Sequence, residues 1–336
     1  MDSTPRVIIS GFGDEAANHK TAVEQFAAMA ALGLQYYSLR YVDVGNGVKN
    51  VMRLTKSEIT KLRHLEDEYG MNVTSIGSPI GKVKLRNVDD GTSNKFVPFQ
   101  KYLEKDVNRA CELAHAFETK LIRGFSFYHP KGSDPWDHVA QAADQLSQIA
   151  EVCHRSDLTL GLEIEANLVG QSGELMAELH RQINHPAVVT IFDGGNIISQ
   201  GYSMVDCFQQ YLAMKPTIGW FHIKDYRDPT ASRSSHVDED KLKNFVPASD
   251  GDSGHAEIFR DFADAIPQLQ RRLKRRGVPG VFVDLEPHLK GGGQFGGFSG
   301  PDGMGVALRS LCRVLDFASV GYRLRDMEDV RALRGF

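Results

Sequence analysis

The sequence predicts a (β/α)8 barrel spanning residues 1–336 as one domain, and three observations carry that expectation. Eight short apolar runs rich in β-branched and aromatic residues recur along the chain. Longer amphipathic stretches separate them, so strand and helix alternate. Acidic or imidazole side chains end four consecutive runs, and a barrel gathers such strand ends at one mouth. Strict alternation implies parallel strands joined by right-handed crossovers, and eight units suggest closure. The competing open sheet would carry a three-glycine dinucleotide turn; Gly11-Phe12-Gly13 is instead followed by Ala16 in the third place.

Taken in order, the apolar runs begin at Val7-Ile8-Ile9, Tyr36-Tyr37-Ser38-Leu39, Val73-Thr74-Ser75-Ile76 and Leu121-Ile122-Arg123-Gly124-Phe125. They continue at Leu158-Thr159-Leu160-Gly161-Leu162, Val188-Val189-Thr190-Ile191-Phe192, Ile218-Gly219-Trp220-Phe221 and Val281-Phe282-Val283. Helical spacing is legible over Ala22 to Leu32, Glu58 to Tyr69, Tyr102 to Phe117 and Val139 to His154. Gly33, Gly70 and Asp157 stand where such helices would stop before the next strand. Two connections are long: Asp225 to Gly254 after strand seven, and the glycine-rich stretch Leu289 to Gly305 after strand eight. Long loops at the strand ends of a barrel usually cover a site, and Phe295 and Phe298 within the second call for burial.

Composition narrows the function. With 39 basic and 43 acidic residues, a net charge of -4 offers no electrostatic reason to expect nucleic acid. The basic run Arg271-Arg272-Leu273-Lys274-Arg275-Arg276 falls at a helix end before Gly277, where cations complement the helix dipole. Cys111, Cys153, Cys207 and Cys312 lie far apart in helical segments, so free thiols and a reducing, cytoplasmic setting are expected. No run approaches the ~18 apolar residues that span a bilayer, and Met1 to Arg6 lacks the start of a secretion signal.

Strand five runs into Gly161-Leu162-Glu163-Ile164-Glu165, strand six into Phe192-Asp193-Gly194-Gly195-Asn196, strand seven into Phe221-His222-Ile223-Lys224-Asp225, and strand eight into Leu285-Glu286-Pro287-His288. The separations from Glu163 to Asp193 (30), to His222 (29) and to Glu286 (64) equal one βα unit twice, then one unit plus the long loop. The four side chains are therefore expected to converge at the C-terminal mouth. Three carboxylates and an imidazole form a mostly hard donor set, which suits one divalent ion: Mn first, Mg or Co next, Zn less well. Glu163 and Glu165 share a strand face by periodicity, which does not choose between them.

At these positions the sequence resembles the sugar isomerase and epimerase superfamily with the xylose-isomerase-like barrel. Its members show a Glu ending strand five, Asp-x-x-Asn or Asp-x-x-His on strand six, His-x-Lys-Asp on strand seven and a Glu ending strand eight. Weaker similarity extends through Leu39-Arg40 and Ser78-Pro79-Ile80-Gly81-Lys82. The resemblance implies that Glu163, Asp193, His222 and Glu286 bind the metal, and that Glu163 and Glu286 serve as catalytic acid and base. The spacing from Glu163 to Gly170 favours Glu163 over Glu165, which would then meet Lys224 at the rim or stand behind the ligands. A metal chelated by a carbonyl and its neighbouring hydroxyl would stabilise an enediolate while the two carboxylates move the α-proton.

Arg40, Ser78, Lys82, His129, Asn196, Lys224 and His255 are candidate substrate contacts, with Tyr128 beside His129; His288 is expected to pack against Glu286. The ketose 3-epimerases carry His where Asn196 stands, and an Arg where Asp228 stands, so a free-ketohexose epimerase is disfavoured. The leading expectation is a metal-dependent isomerase or epimerase of a sugar or keto-sugar. The alternative is a lyase that eliminates a β-substituent from a keto-sugar, inosose or 3-keto-glycoside. A damaged-DNA endonuclease would need extra His ligands and a basic face, and a non-catalytic binding protein would have no use for an acid–base pair. A homo-oligomer or an accessory subunit is compatible with the sequence.

Overall fold

The computed structural model describes residues 5–227, 244–289 and 300–335. All eight expected runs form strands: β1 (Ile8–Gly11), β2 (Tyr36–Leu39), β3 (Asn72–Ile80), β4 (Leu121–Gly124), β5 (Thr159–Glu163), β6 (Val188–Asp193), β7 (Ile218–Ile223) and β8 (Phe282–Leu285). Each pairs in parallel with its neighbour from β2 through to β8, and β8 pairs with β1. A single bridge between Phe12 and Ser38 joins the β1 and β2 edges, which makes the barrel nearly closed.

Helices cover the outside because their apolar residues recur at three- and four-residue spacing. Val139–Arg155 buries Val139, Ala142, Ala143, Leu146, Ile149, Ala150 and Cys153 on one face. Burying each large aliphatic side chain there is worth roughly 1.5–3 kcal/mol. The helix expected from Glu58 begins earlier, at Lys56, because Thr55 and Glu58 form a reciprocal capping box. That expected over Tyr102 to Phe117 starts at Phe99 and contains a π turn over Leu103–Val107. Gly33, Gly70 and Asp157 all adopt positive φ at the anticipated helix ends. The basic run closes the helix Ile266–Lys274, where Arg272 and Arg276 donate to the Ile218 carbonyl and Thr159 hydroxyl. All four cysteines are free, and among the described residues no helix is long and apolar enough to cross a membrane.

The long connections differ from expectation. After β7, Asp225–Tyr226 pairs with Phe245–Val246, and the chain enters the helix His255–Phe262; residues 228–243 lie outside the described part. After β8, the helix Gly300–Phe317 takes up the last residues of the stretch read as loop. Glycines there masked a helical face in which Met304, Ala307, Leu308 and Leu311 are buried. Phe295 and Phe298 lie outside the described residues.

The barrel interior is tightly fitted below the mouth. A Cβ added to Gly161 on β5 would stand 2.1 Å from the buried Trp220 ring of β7. Gly161→Ala is expected to cost about 1–3 kcal/mol or more, since the buried indole must shift to admit the methyl group. Denaturant unfolding measures this, and a loss under about 0.5 kcal/mol would show that the ring can move.

Outside the barrel, Glu66 is buried, accepting from Tyr37 Oη at 2.6 Å and Arg63 Nη1 at 2.8 Å. Burial pushes its carboxyl up to about 7, against the pull of Tyr37 and Arg63. Its protonated form therefore supports the fold fully below its unfolded-state value near 4.5, and that support is lost as pH rises through 7. Between pH 5 and 8 the wild type should lose about 2–3 kcal/mol more stability than Glu66→Gln. Equal losses in urea titrations at the two pH values would remove Glu66 from the account.

Candidate metal centre and cleft

The twist of the barrel brings the ends of β5, β6, β7 and β8 together. Glu163, Asp193, His222 and Glu286 are all buried, and one donor atom from each lies within 4.8 Å of the others. His222 Nδ1 stands 3.1 Å from Glu163 Oε1 and 4.0 Å from Glu286 Oε2. Lys224 Nζ lies 2.7 Å from both Asp193 Oδ2 and Glu286 Oε2. Asp193 Oδ1 accepts from the Asn196 backbone, while Asn196 Nδ2 donates to the Ile164 carbonyl and to Glu163 Oε1.

The donor set fits a divalent ion. His222 Nδ1 and Asp193 Oδ2 face charged neighbours yet make no well-directed hydrogen bond, the situation a coordinated ion relieves. Behind His222, Asp284 Oδ2 lies 4.0 Å from Nε2 and accepts from Ser38 at 2.7 Å, and Ser10 donates to its other oxygen. The imidazole thus turns Nδ1 toward Glu163 and Glu286, the side on which an ion would be held. Trp220 Nε1 also points at Nε2, at 3.4 Å, which ties the interior packing to the site.

Charge compensation sets the protonation states. Burial works to raise Glu163, but the close His222 charge, helped by Arg123, outweighs it and holds the carboxyl at about 2. Glu286 is likewise buried, and Lys224, His288 and Arg40 hold it well below the usual carboxylate range. Burial pushes Asp193 and Asp284 up to about 6. Lys224 is buried too, yet Asp193 and Glu286 keep its ammonium charged.

Above this cluster opens a cleft of about 240 Å³ whose lining includes Arg40, Lys82, Arg123, Asn196, Lys224 and Phe245. Arg40 is fixed by Asp14 at 3.0 Å, Glu15 at 2.8 Å and Glu286 at 2.5 Å. His288 sits beside Glu286 as expected, 3.7 Å away, and also pairs with Glu15.

Three expected contacts stand elsewhere. Ser78 Oγ turns away to donate to the Arg123 carbonyl. His129 engages the Pro130 carbonyl and stacks on His138. His255 is buried beneath the cleft, with Nε2 3.0 Å from the Lys224 carbonyl. Tyr128 is likewise absent from the lining, its strand segment bridging Lys84 and Leu168. Glu165 follows the end of β5 and pairs with Lys82 at 2.8 Å, not with Lys224.

The site also contains Arg123, Asp284, Asp14 and Glu15, which sequence reading passed over. Arg123 and Asp284 had a signal, each a charge inside an apolar strand run. Asp14 and Glu15 follow β1 with no comparable pattern.

A barrel whose strand ends converge on three carboxylates and an imidazole defines a class of α/β-barrel proteins with a metal-type site at the C-terminal mouth. The chain belongs to the xylose isomerase-like TIM barrel family, whose sequence profile matches residues 26–288. Three solved structures share the fold at low identity. The probable 3-DHS dehydratase AsbF from Bacillus anthracis is 17% identical, with 91% of this chain and 98% of that one covered and a TM-score of 0.61. A xylose isomerase-like TIM barrel protein from Mycobacterium smegmatis in complex with magnesium is 17% identical over 94% and 97%, with a TM-score of 0.60. A D-allulose 3-epimerase from Methylomonas sp. is 14% identical over 94% and 100%, with a TM-score of 0.58. No curated protein is similar enough to count as a relative.

Proposed function

We propose that this protein is a divalent-metal-dependent isomerase or epimerase of a sugar or keto-sugar. The observation that carries the reading is the buried meeting of Glu163, Asp193, His222 and Glu286 at the barrel mouth. These four residues would hold the ion, with Mn the first choice for such donors and Mg or Co next. When bound, the ion polarises a substrate carbonyl and its neighbouring hydroxyl, which acidifies the α-carbon proton.

The remaining work falls to side chains of this chain. Glu163 and Glu286 are both held ionised, so either can accept the α-proton and return that proton to the neighbouring carbon. Delivery to the opposite face requires the other carboxyl to have first taken a proton from solvent. Arg40 and Lys224 fix Glu286, while Asn196 and Arg123 fix Glu163. The magnesium-bound relative from Mycobacterium smegmatis and the D-allulose 3-epimerase relative support this reading by analogy of fold.

One observation favours a second outcome, elimination. Lys224 is a buried, charged ammonium 2.7 Å from Glu286, and it could protonate a departing β-hydroxyl once Glu286 has taken the α-proton. The dehydratase relative supports it on the same footing. Metal content, followed by incubation with hydroxy-carbonyl sugars in deuterated water, tests both. An isomer of the substrate carrying deuterium at the exchanged carbon supports the isomerase, and loss of water supports the lyase. Protein that stays empty when Mn is supplied refutes both.

A further inference from the structure

Arg123 is the cleft cation whose charge is least satisfied. Arg40 is met by three carboxylates at 3.0 Å or less, Lys224 by two at 2.7 Å, and Lys82 by Glu165 at 2.8 Å. The carboxylates nearest Arg123 are Glu163 at 3.4 Å and Glu286 at 3.9 Å. Its Nη2 donates to the Gly77 carbonyl at 3.2 Å, but its Nε is buried without a hydrogen-bond partner. An unmet buried donor of this kind costs about 1–3 kcal/mol, more when charged.

The guanidinium is also held in place. Phe12 and Phe125 rings lie 5.1 and 4.9 Å from its centre, and Ser78 Oγ pins the backbone through the Arg123 carbonyl. Aromatic faces orient the plane without neutralising it as a carboxylate does. Four cationic side chains, Arg40, Lys82, Arg123 and Lys224, line the cleft against three carboxylates, Glu163, Glu165 and Glu286. Two of those three are the ones the metal reading commits to an ion, which leaves Arg123 with still less negative charge.

We propose that Arg123 receives a carboxylate of the substrate, so that the substrate class is a polyhydroxylated keto acid and not a neutral sugar. A planar guanidinium with an unused N–H matches a planar carboxylate, and burial makes the pairing selective against a neutral group. The inference rests on the proposed function for the carbonyl end of the substrate, but its acid end is recognised independently of the ion.

Calorimetric titration of the full chain with D-gluconate and D-glucitol, which differ at one terminal carbon, tests it in Mn-supplied and chelator-treated protein. Gluconate is expected to bind at least about tenfold tighter than glucitol in both preparations. Arg123→Met should reduce that ratio to within about twofold in the chelator-treated protein, where the contact of Arg123 with Glu163 cannot act through an ion, and Arg123→Lys, keeping charge without the fork, should fall between. If Arg123→Met does not fold, Arg123→Lys decides.

Equal binding of the two ligands to wild type, or no binding of gluconate, overturns the proposal. So does a ratio unmoved by substitution, or an equal loss of both ligands, which marks a structural role. Tighter binding of D-glucose 6-phosphate than of gluconate replaces the carboxylate by a phosphate and overturns it as well. Failure of the metal reading looks different: no ion is retained, yet the gluconate preference persists and still depends on Arg123.

Discussion

Glu286→Gln should leave a folded barrel that binds the divalent ion far more weakly and has lost nearly all α-proton exchange. Glu286 is at once one of the four converging donors and the anion between Arg40 and Lys224. The amide offers a neutral oxygen, so ligand and base are removed together. Loss of a positioned general base costs ~10²–10⁴-fold, and the weakened ion adds to that. Glu163→Gln should behave alike, while Glu165→Gln should leave metal content unchanged because Glu165 pairs with Lys82. Metal analysis and deuterium incorporation measure both effects. Retention of metal and exchange by Glu286→Gln would remove this residue from the mechanism.

The second large effect concerns Lys224. Its ammonium neutralises Asp193 and Glu286 from within the site, where all three groups are buried. Lys224→Met should destabilise the metal-free protein by about 3–5 kcal/mol, the usual cost of stripping one partner from a buried ion pair. A divalent ion then supplies the missing positive charge, so added Mn should raise the melting temperature of Lys224→Met much more than that of wild type. The product of the metal-loaded variant separates the two functional readings: loss of water needs the ammonium and isomer formation does not, while α-proton exchange, which precedes both, persists in either case. A variant as stable as wild type without metal would mean that the two carboxylates are neutralised in another way.

Both predictions rest on a site that was half legible beforehand. Glu163, Asp193, His222 and Glu286 stood out because each ends an apolar run and the separations match βα units. Asn196, Lys224, Arg40 and Lys82 were named from the same strand-end logic, and all four line the cleft. Ser78, His129 and His255 were named by it too, yet they turn elsewhere. Position after a strand says that a residue is near the mouth. It does not say which way the side chain points once the chain has left the β conformation.

The sequence by itself determined the barrel, since periodicity and alternation are local properties that tertiary packing here reinforced. It also determined that four metal-type donors would share one end, because parallel strands in consecutive order admit no other placement. Only the tertiary structure decided how charge is distributed among them. That Asp14 and Glu15, more than 20 residues before Arg40, saturate its guanidinium while Arg123 keeps an unmet Nε follows from contacts between separate strand ends. So does the choice of Lys82 as partner of Glu165. Such pairings depend on angstrom-scale distances across the barrel mouth, and hydrophobic pattern, which reports only which face is buried, carries no record of them.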